Sequence, residues 1–321
     1  MRTGASMTYE LDQIEMREAY AGTLIEIAQK NSEVIALEAD LMSAISTNKF
    51  KAACPDQFVN CGIMEANMVG VAAGLSLTGK IPYLHTFASF ATRRAFDQLF
   101  ISGAYAKLNI KILGSDAGVT SEHNGGTHMP FEDIGLVRII PGATVIEVSD
   151  AAMLASMLRQ VEQIYGIHYI RTIRKKAVKI YDEHTDFEIG KGKVLREGND
   201  VTLIASGIMV AEALKAADIL AKEGIGAAVI DMFTIKPIDR DLIIKYAART
   251  GAIVTIENHN CINGLGSAVA EVLAEHAPTR MKRIGIDEQF GRVGTTDYLK
   301  EYYGLTKEHI ARKTKELLGN R

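Results

Sequence analysis

The chain has 321 residues, 47% of them apolar and 23% charged, with a formal net charge of −3. That balance describes an ordinary globular protein, long enough for two domains and with no electrostatic reason to seek nucleic acid or an anionic membrane. No run approaches the ~18–20 unbroken apolar residues that cross a bilayer. No apolar stretch follows the lone arginine of MRTGASMTYELDQ, so no secretory signal is read there. Cys54, Cys61 and Cys261 are too few for a disulfide framework and lack metal-type spacing, which points to a reducing cytoplasm.

Strand and helix patterns alternate along the chain. Residues 12–30 predict a helix, 34–41 a strand, 64–78 a helix and 82–87 a strand. Residues 89–107 then predict a helix, 110–116 and 144–148 strands, and 150–163 another helix. After Ile173 the chain turns polar and charged, a linker with an edge strand. Alternation resumes with strands at 201–207, 227–233, 252–258 and 282–287, helices at 209–223 and from 265, and a C-terminal helix. The expected fold is α/β, with two doubly wound domains of mainly parallel sheet, 1–187 and 188–321.

Ligands of such sheets bind beyond the carboxyl ends of the strands, so the strand-to-helix turns carry the information. Glu65 opens an almost wholly apolar helix, where a carboxylate either complements the helix dipole or meets a ligand nitrogen. Phe87 and Phe90 lie at a strand-to-helix turn and serve either as core or as the wall for a flat heterocycle; the adjacent Arg93 and Arg94 read as surface. Segment 114–133 is a long, glycine-rich polar loop containing His123 and His128, of the kind that tends to carry function. Arg171 and Arg174 end an apolar strand and either bind an anion or begin a basic linker. Glu257 and His259 read as serving structure or subunit contact, and the glycine-rich GLGSAVAE as a tight turn or an anion site.

Taken in order, MREAYAGTL, EADL, GIMEANMVGVAAGLSLTGKIPYLHTFASF, RAFDQ, GGTHMPFED and IRTIRKK resemble the C-terminal half of transketolase and of 1-deoxyxylulose-5-phosphate synthase. SGIMV, IDMFTIKPID, ENHN, GLGSAVAE and YGLT extend the resemblance through the second domain. It implies a thiamine-diphosphate pyrimidine-binding domain followed by a smaller C-terminal domain. It also implies two-carbon ketol transfer from a ketose to an aldose.

In that family the glutamate at the position of Glu65 contacts the aminopyrimidine and starts catalysis, with Phe87 and Phe90 as the cofactor's aromatic neighbours. Arg17, Ser43, His128 and Arg174 match positions that hold the sugar's anion or hydroxyls, and His128 is also a candidate catalytic residue. Ser115 stands where transketolase has a histidine, Asn124 where it has an aspartate and Arg93 where it has an aromatic; the loop 116–128 reads as one residue longer. Ser115 and Asn124 remain candidate substrate contacts, but the sugar expected is unusual, carrying phosphate or sulfonate.

Full-length members hold Mg²⁺ and the diphosphate through a GDG…N motif that has no counterpart here; REGND at 196–200 lies in the wrong context. The expectation is a split enzyme that works with a separate diphosphate-binding subunit as a dimer of heterodimers and supplies no metal ligand itself. The alternatives are a deoxyxylulose-phosphate-synthase-like enzyme, a 2-oxo-acid decarboxylase beta subunit and a non-catalytic scaffold.

Overall fold

The computed structural model describes residues 9–319. Its strands are β1 (Val34–Glu38), β2 (Phe58–Asn60), β3 (Ile81–Phe87), β4 (Ile110–Ser115), β5 (Thr144–Glu147) and β6 (Ile167–Arg171). They continue with β7 (Lys193–Arg196), β8 (Val201–Ala205), β9 (Ala227–Asp231), β10 (Thr234–Lys236), β11 (Ala252–Asn260) and β12 (Arg280–Ile286). The first sheet runs β10-β5-β6-β4-β3-β1-β2 and the second β12-β11-β8-β9-β7. Every pairing is parallel except β10 on β5 and β7 on β9.

Every residue of β1, β4, β6, β8 and β9 is buried, as expected of parallel strands covered by helices on both faces. The antiparallel edge strand β7 is partly exposed and carries Lys193 and Arg196, charges that discourage further pairing. Asp150 caps the helix Ala151–Gln163 by accepting from the Met153 N–H, and Asp239 caps Arg240–Thr250 through the Leu242 N–H. Asp150 also accepts from the N–H groups of Ile180 and Tyr181, which ties the polar linker to the first domain.

Two features depart from the sequence pattern. The single helix expected over 89–107 is broken into Ala88–Arg93, Phe96–Gln98 and a π turn, Leu99–Tyr105. The π turn presses Gly103 against Ile167 and Ile110, where an added Cβ would lie 3.3 and 3.4 Å from their Cδ1 atoms. The three-residue strand β10, from beyond residue 188, completes the first sheet. No helix among the described residues is long and apolar enough to cross a membrane.

The ends of β3, β4 and β6 come level, with Phe87 beside Ser115 and Gly114 beside Arg171. The segments singled out in the sequence therefore converge on one carboxyl edge of the first sheet.

Candidate active site

Glu65 is the first residue of the helix Glu65–Leu77, and its carboxylate is only 5% exposed. It accepts a hydrogen bond from an Arg94 Nη at 2.8 Å. The break after Arg93 lets Arg94 turn back in this way, and the same guanidinium lies 3.7 Å from the centre of the Phe90 ring. A flat, N–H-bearing group thus sits between a buried carboxylate and an aromatic face.

Phe87 packs on Phe90 with centroids 5.7 Å apart, and His128 meets both rings edge-on, at 6.0 and 5.0 Å. Burial, with Arg94 and Arg93 nearby, lowers the His128 pKa; Asp116 opposes them. The imidazole is therefore neutral at physiological pH and able to donate or accept. Thr127 Oγ1 lies 2.8 Å from its Nδ1.

Arg174 lies with its guanidinium 5.1 Å from the Phe87 ring centre and donates from Nε to Asp116 at 2.8 Å. Asp116 takes the left-handed conformation, φ 59°, which ends β4 and turns its carboxylate toward Arg174. Burial raises the Asp116 pKa, while Arg174, Ser115 and His85 pull it back down. The Ser115 hydroxyl points the other way, into the sheet, 3.0 Å from His85 Nε2 and 3.2 Å from Asp116. His85 Nδ1 in turn lies 3.0 Å from both carboxylate oxygens of Glu38, and Thr47 donates to Glu38 at 2.5 Å. Glu38, His85 and Ser115 are wholly buried, so the row Glu38–His85–Ser115–Asp116 backs Arg174 from inside.

The remaining candidates are spread around this centre. Arg17 pairs with Glu15, and its backbone N–H donates to the Arg174 carbonyl at 3.1 Å. Ser43 and Asn124 are exposed, Asn124 at the rim of a cavity of about 490 Å³ that Asp116 and Arg174 also line. Arg171, paired with Arg174 in the sequence reading, is not available to a ligand. It is fully buried, donating to Asp133 at 2.7 Å and to Glu147, and to the carbonyls of Pro130 and Asn258.

Asp116, His85 and Glu38 were missed in the sequence, and Arg94, read there with Arg93 as surface, instead pairs with buried Glu65. Asp116 sits one residue from Ser115, which drew attention instead; the strand geometry decides which neighbour faces the site. The glycine-rich helix start Leu265–His276 is not an anion site, because Glu257 already accepts from the N–H groups of Leu265 and Gly266.

The family profile for the transketolase pyrimidine-binding domain matches residues 12–178, and that for the transketolase C-terminal domain matches 190–310. The chain belongs to the transketolase family. The 6-deoxy-6-sulfo-D-fructose transketolase subunit SqwH of Clostridium sp. (strain MSTE9) is 49% identical over 308 residues, 96% of each chain. A putative transketolase C-terminal section of Methanocaldococcus jannaschii is 42% identical, covering 94% of this chain and 95% of its own. A split-gene transketolase solved as an inactive beta4 tetramer superimposes with a TM-score of 0.88 at 43% identity, over 96% of this chain and 99% of that one. Membership of the transketolase family implies thiamine diphosphate as cofactor.

Proposed function

We propose that this chain is the aminopyrimidine-binding, sugar-binding subunit of a split transketolase, working with a separate subunit that holds Mg²⁺ and the diphosphate. The observation that carries the reading is the slot between Glu65 and Phe90, which already accommodates a planar N–H-bearing group. Relatives of equal length named as a transketolase subunit and as a C-terminal section support the division of labour, as does the similar split-gene chain found inactive as a tetramer of one subunit. A dimer of heterodimers would place two such half-sites against two partners.

Thiamine diphosphate, when bound, supplies the carbanion chemistry that breaks and re-forms the bond beside a ketose carbonyl. Glu65 would hold the ring nitrogen and could exchange a proton with it, and Phe90, with Phe87 behind, would offer the ring an aromatic wall. The neutral imidazole of His128, braced by both phenylalanines, hydrogen-bonds substrate oxygens at the reacting end. Arg174, aimed by Asp116, grips the anionic far end, with Arg17, Ser43, Ser115 and Asn124 as further contacts or supports. Positioning of this kind can supply several kcal/mol of barrier reduction.

The donor that best fits the relatives is a sugar bearing a terminal anion, such as the sulfonated ketose in the name of the 49% identical subunit. The test is ketol transfer from anionic and neutral ketoses by the mixed subunits, comparing wild type with Arg174→Ala. Arg174→Ala should raise KM for the anionic ketose about tenfold or more and change the neutral one little. Equal losses on both would remove Arg174 from its role.

A further inference from the structure

His128 owes part of its place to the first domain. Its ring lies edge-on to Phe87 and Phe90, its carbonyl accepts from the Ser121 hydroxyl at 2.9 Å, and the Thr127 carbonyl accepts from Arg93 at 2.7 Å. The second domain supplies another constraint, because its segment 290–294 packs against 125–129. A Cβ added at Gly126 would lie 2.5 Å from the Gly291 carbonyl oxygen. One added at Gly291 would lie 2.9 Å from Gly126 Cα and 2.8 Å from Met129 Cβ. Val293 closes on Gly125 in the same way, its methyl 3.0 Å from where a Cβ would stand. Neither Gly126 nor Gly291 has a positive φ, so the local backbone conformation does not call for glycine at either position. The close approach of the two segments does.

That packing brackets His128, touching the residue two before it and the one after it. Segment 290–294 is itself fixed. The Tyr303 hydroxyl donates to the Phe290 carbonyl at 2.9 Å, and the Arg292 guanidinium lies 4.3 Å from the centre of the Tyr302 ring. Tyr303 meets Phe131 edge-on at 5.4 Å, two residues beyond Met129. The second domain thus sets a stiff stop against the loop that carries the imidazole.

Resting on the reading of His128 as a group that hydrogen-bonds substrate, we propose that Gly291 is a positioning residue that sets where the imidazole stands against Phe87 and Phe90. The contact is one of van der Waals exclusion, and a single methyl at 291 must move Gly126, Met129 or both. Close packing passes such a shift along the loop instead of absorbing it. A misplacement of about 1 Å at a reacting centre can cost about 10²-fold in rate.

The experiment is a double-mutant cycle on the mixed subunits, with thiamine diphosphate, Mg²⁺, an anionic ketose and saturating diphosphate-binding subunit. Gly291→Ala should lower kcat about ten- to hundredfold. Its affinity for thiamine diphosphate, read by calorimetry, should stay near that of the wild type, because Glu65 and Phe90 stand on other elements. In a His128→Ala background the same substitution should change kcat less than about twofold, since the group it displaces is gone. Tyr303→Phe frees the Phe290 carbonyl without adding bulk. It should show a smaller loss with the same dependence on His128, and it carries the test if Gly291→Ala does not fold. Equal losses with and without His128 would reveal a general structural role and overturn the proposal, as would an unchanged kcat in both variants. Full activity of His128→Ala alone would instead sink the reading of His128 on which the proposal rests.

Discussion

Glu65 makes its ion pair with Arg94, whose guanidinium also covers Phe90. On the proposed reading, an aminopyrimidine would have to displace Arg94 from both. A partly exposed pair of this kind is worth about 0.2–1 kcal/mol. Arg94→Ala should therefore tighten thiamine diphosphate binding by the mixed subunits about two- to fivefold, measured by calorimetry. Weaker binding would mean that Arg94 helps to hold the cofactor rather than its place. Glu65→Gln should lower kcat about 10²–10⁴-fold with cofactor binding retained, the usual loss of an acid–base group. At the same scale, Asp231 is buried in contact with Ser149 and Tyr181, and one of its oxygens has no partner among the described residues. Burial raises its pKa to about 7. Its folded value exceeds its unfolded value, so its contribution to stability is full below about pH 4 and is lost as pH rises through 7. Asp231→Asn should flatten that decline by up to about 4 kcal/mol between pH 4 and 8, read by denaturant titration. Individual residues were also where sequence reading was weakest. IRTIRKK offers two arginines that look alike; only the register of β6 sends Arg171 into the buried cluster with Asp133 and Glu147 and leaves Arg174 beyond the strand end.

The loop Asp116–His128 is held as an element, and much of its anchorage comes from the second domain. The Asn258 side chain accepts from the Val119 N–H at 2.9 Å and donates to the Ala117 carbonyl at 2.8 Å. Gly118 has φ +51° and packs so tightly on Asn258 that an added Cβ would fall 2.2 Å from its Oδ1. Further along, Thr296 donates to Glu122 at 2.6 Å. Asn258→Ala leaves the Val119 N–H without a partner, at about 1–3 kcal/mol, while the Ala117 carbonyl keeps its bonds from Thr120. It should speed hydrogen exchange in 116–128 and raise KM, with secondary structure unchanged. Unaltered exchange in that loop would show that the clamp is not what orders it. Buried Arg171 joins the same elements, and Arg171→Met would strand Asp133 and Glu147, costing about 3–5 kcal/mol in denaturant unfolding. None of this was legible in ENHN, where the asparagine looks like any strand-end polar residue. The predicted helix over 89–107 failed similarly, because its apolar spacing does not reveal the turn at Arg94 that supplies Glu65 with a partner.

At the scale of the molecule, alternating apolar runs and glycine-bearing turns made two parallel α/β sheets readable, because strands buried on both faces have few other sequence solutions. What they did not reveal is how closely the sheets are joined. The run IDMFTIKP looks like one element of the second domain, yet β9 stays there while β10 crosses to β5. Ser206 donates to Glu147 at 2.5 Å, Ser149 to Asp231 at 2.7 Å, and the Asn260 N–H to the Phe131 carbonyl at 2.9 Å. The second domain is thus a buttress for the first one's ligand edge, consistent with a chain that contributes one complete half of a shared site. The measurement that tests this most directly is ketol transfer by the purified chain alone and then mixed with a diphosphate-binding transketolase subunit, both with thiamine diphosphate, Mg²⁺ and an anionic ketose. Activity only in the mixture is the predicted result; turnover by the chain alone would contradict it.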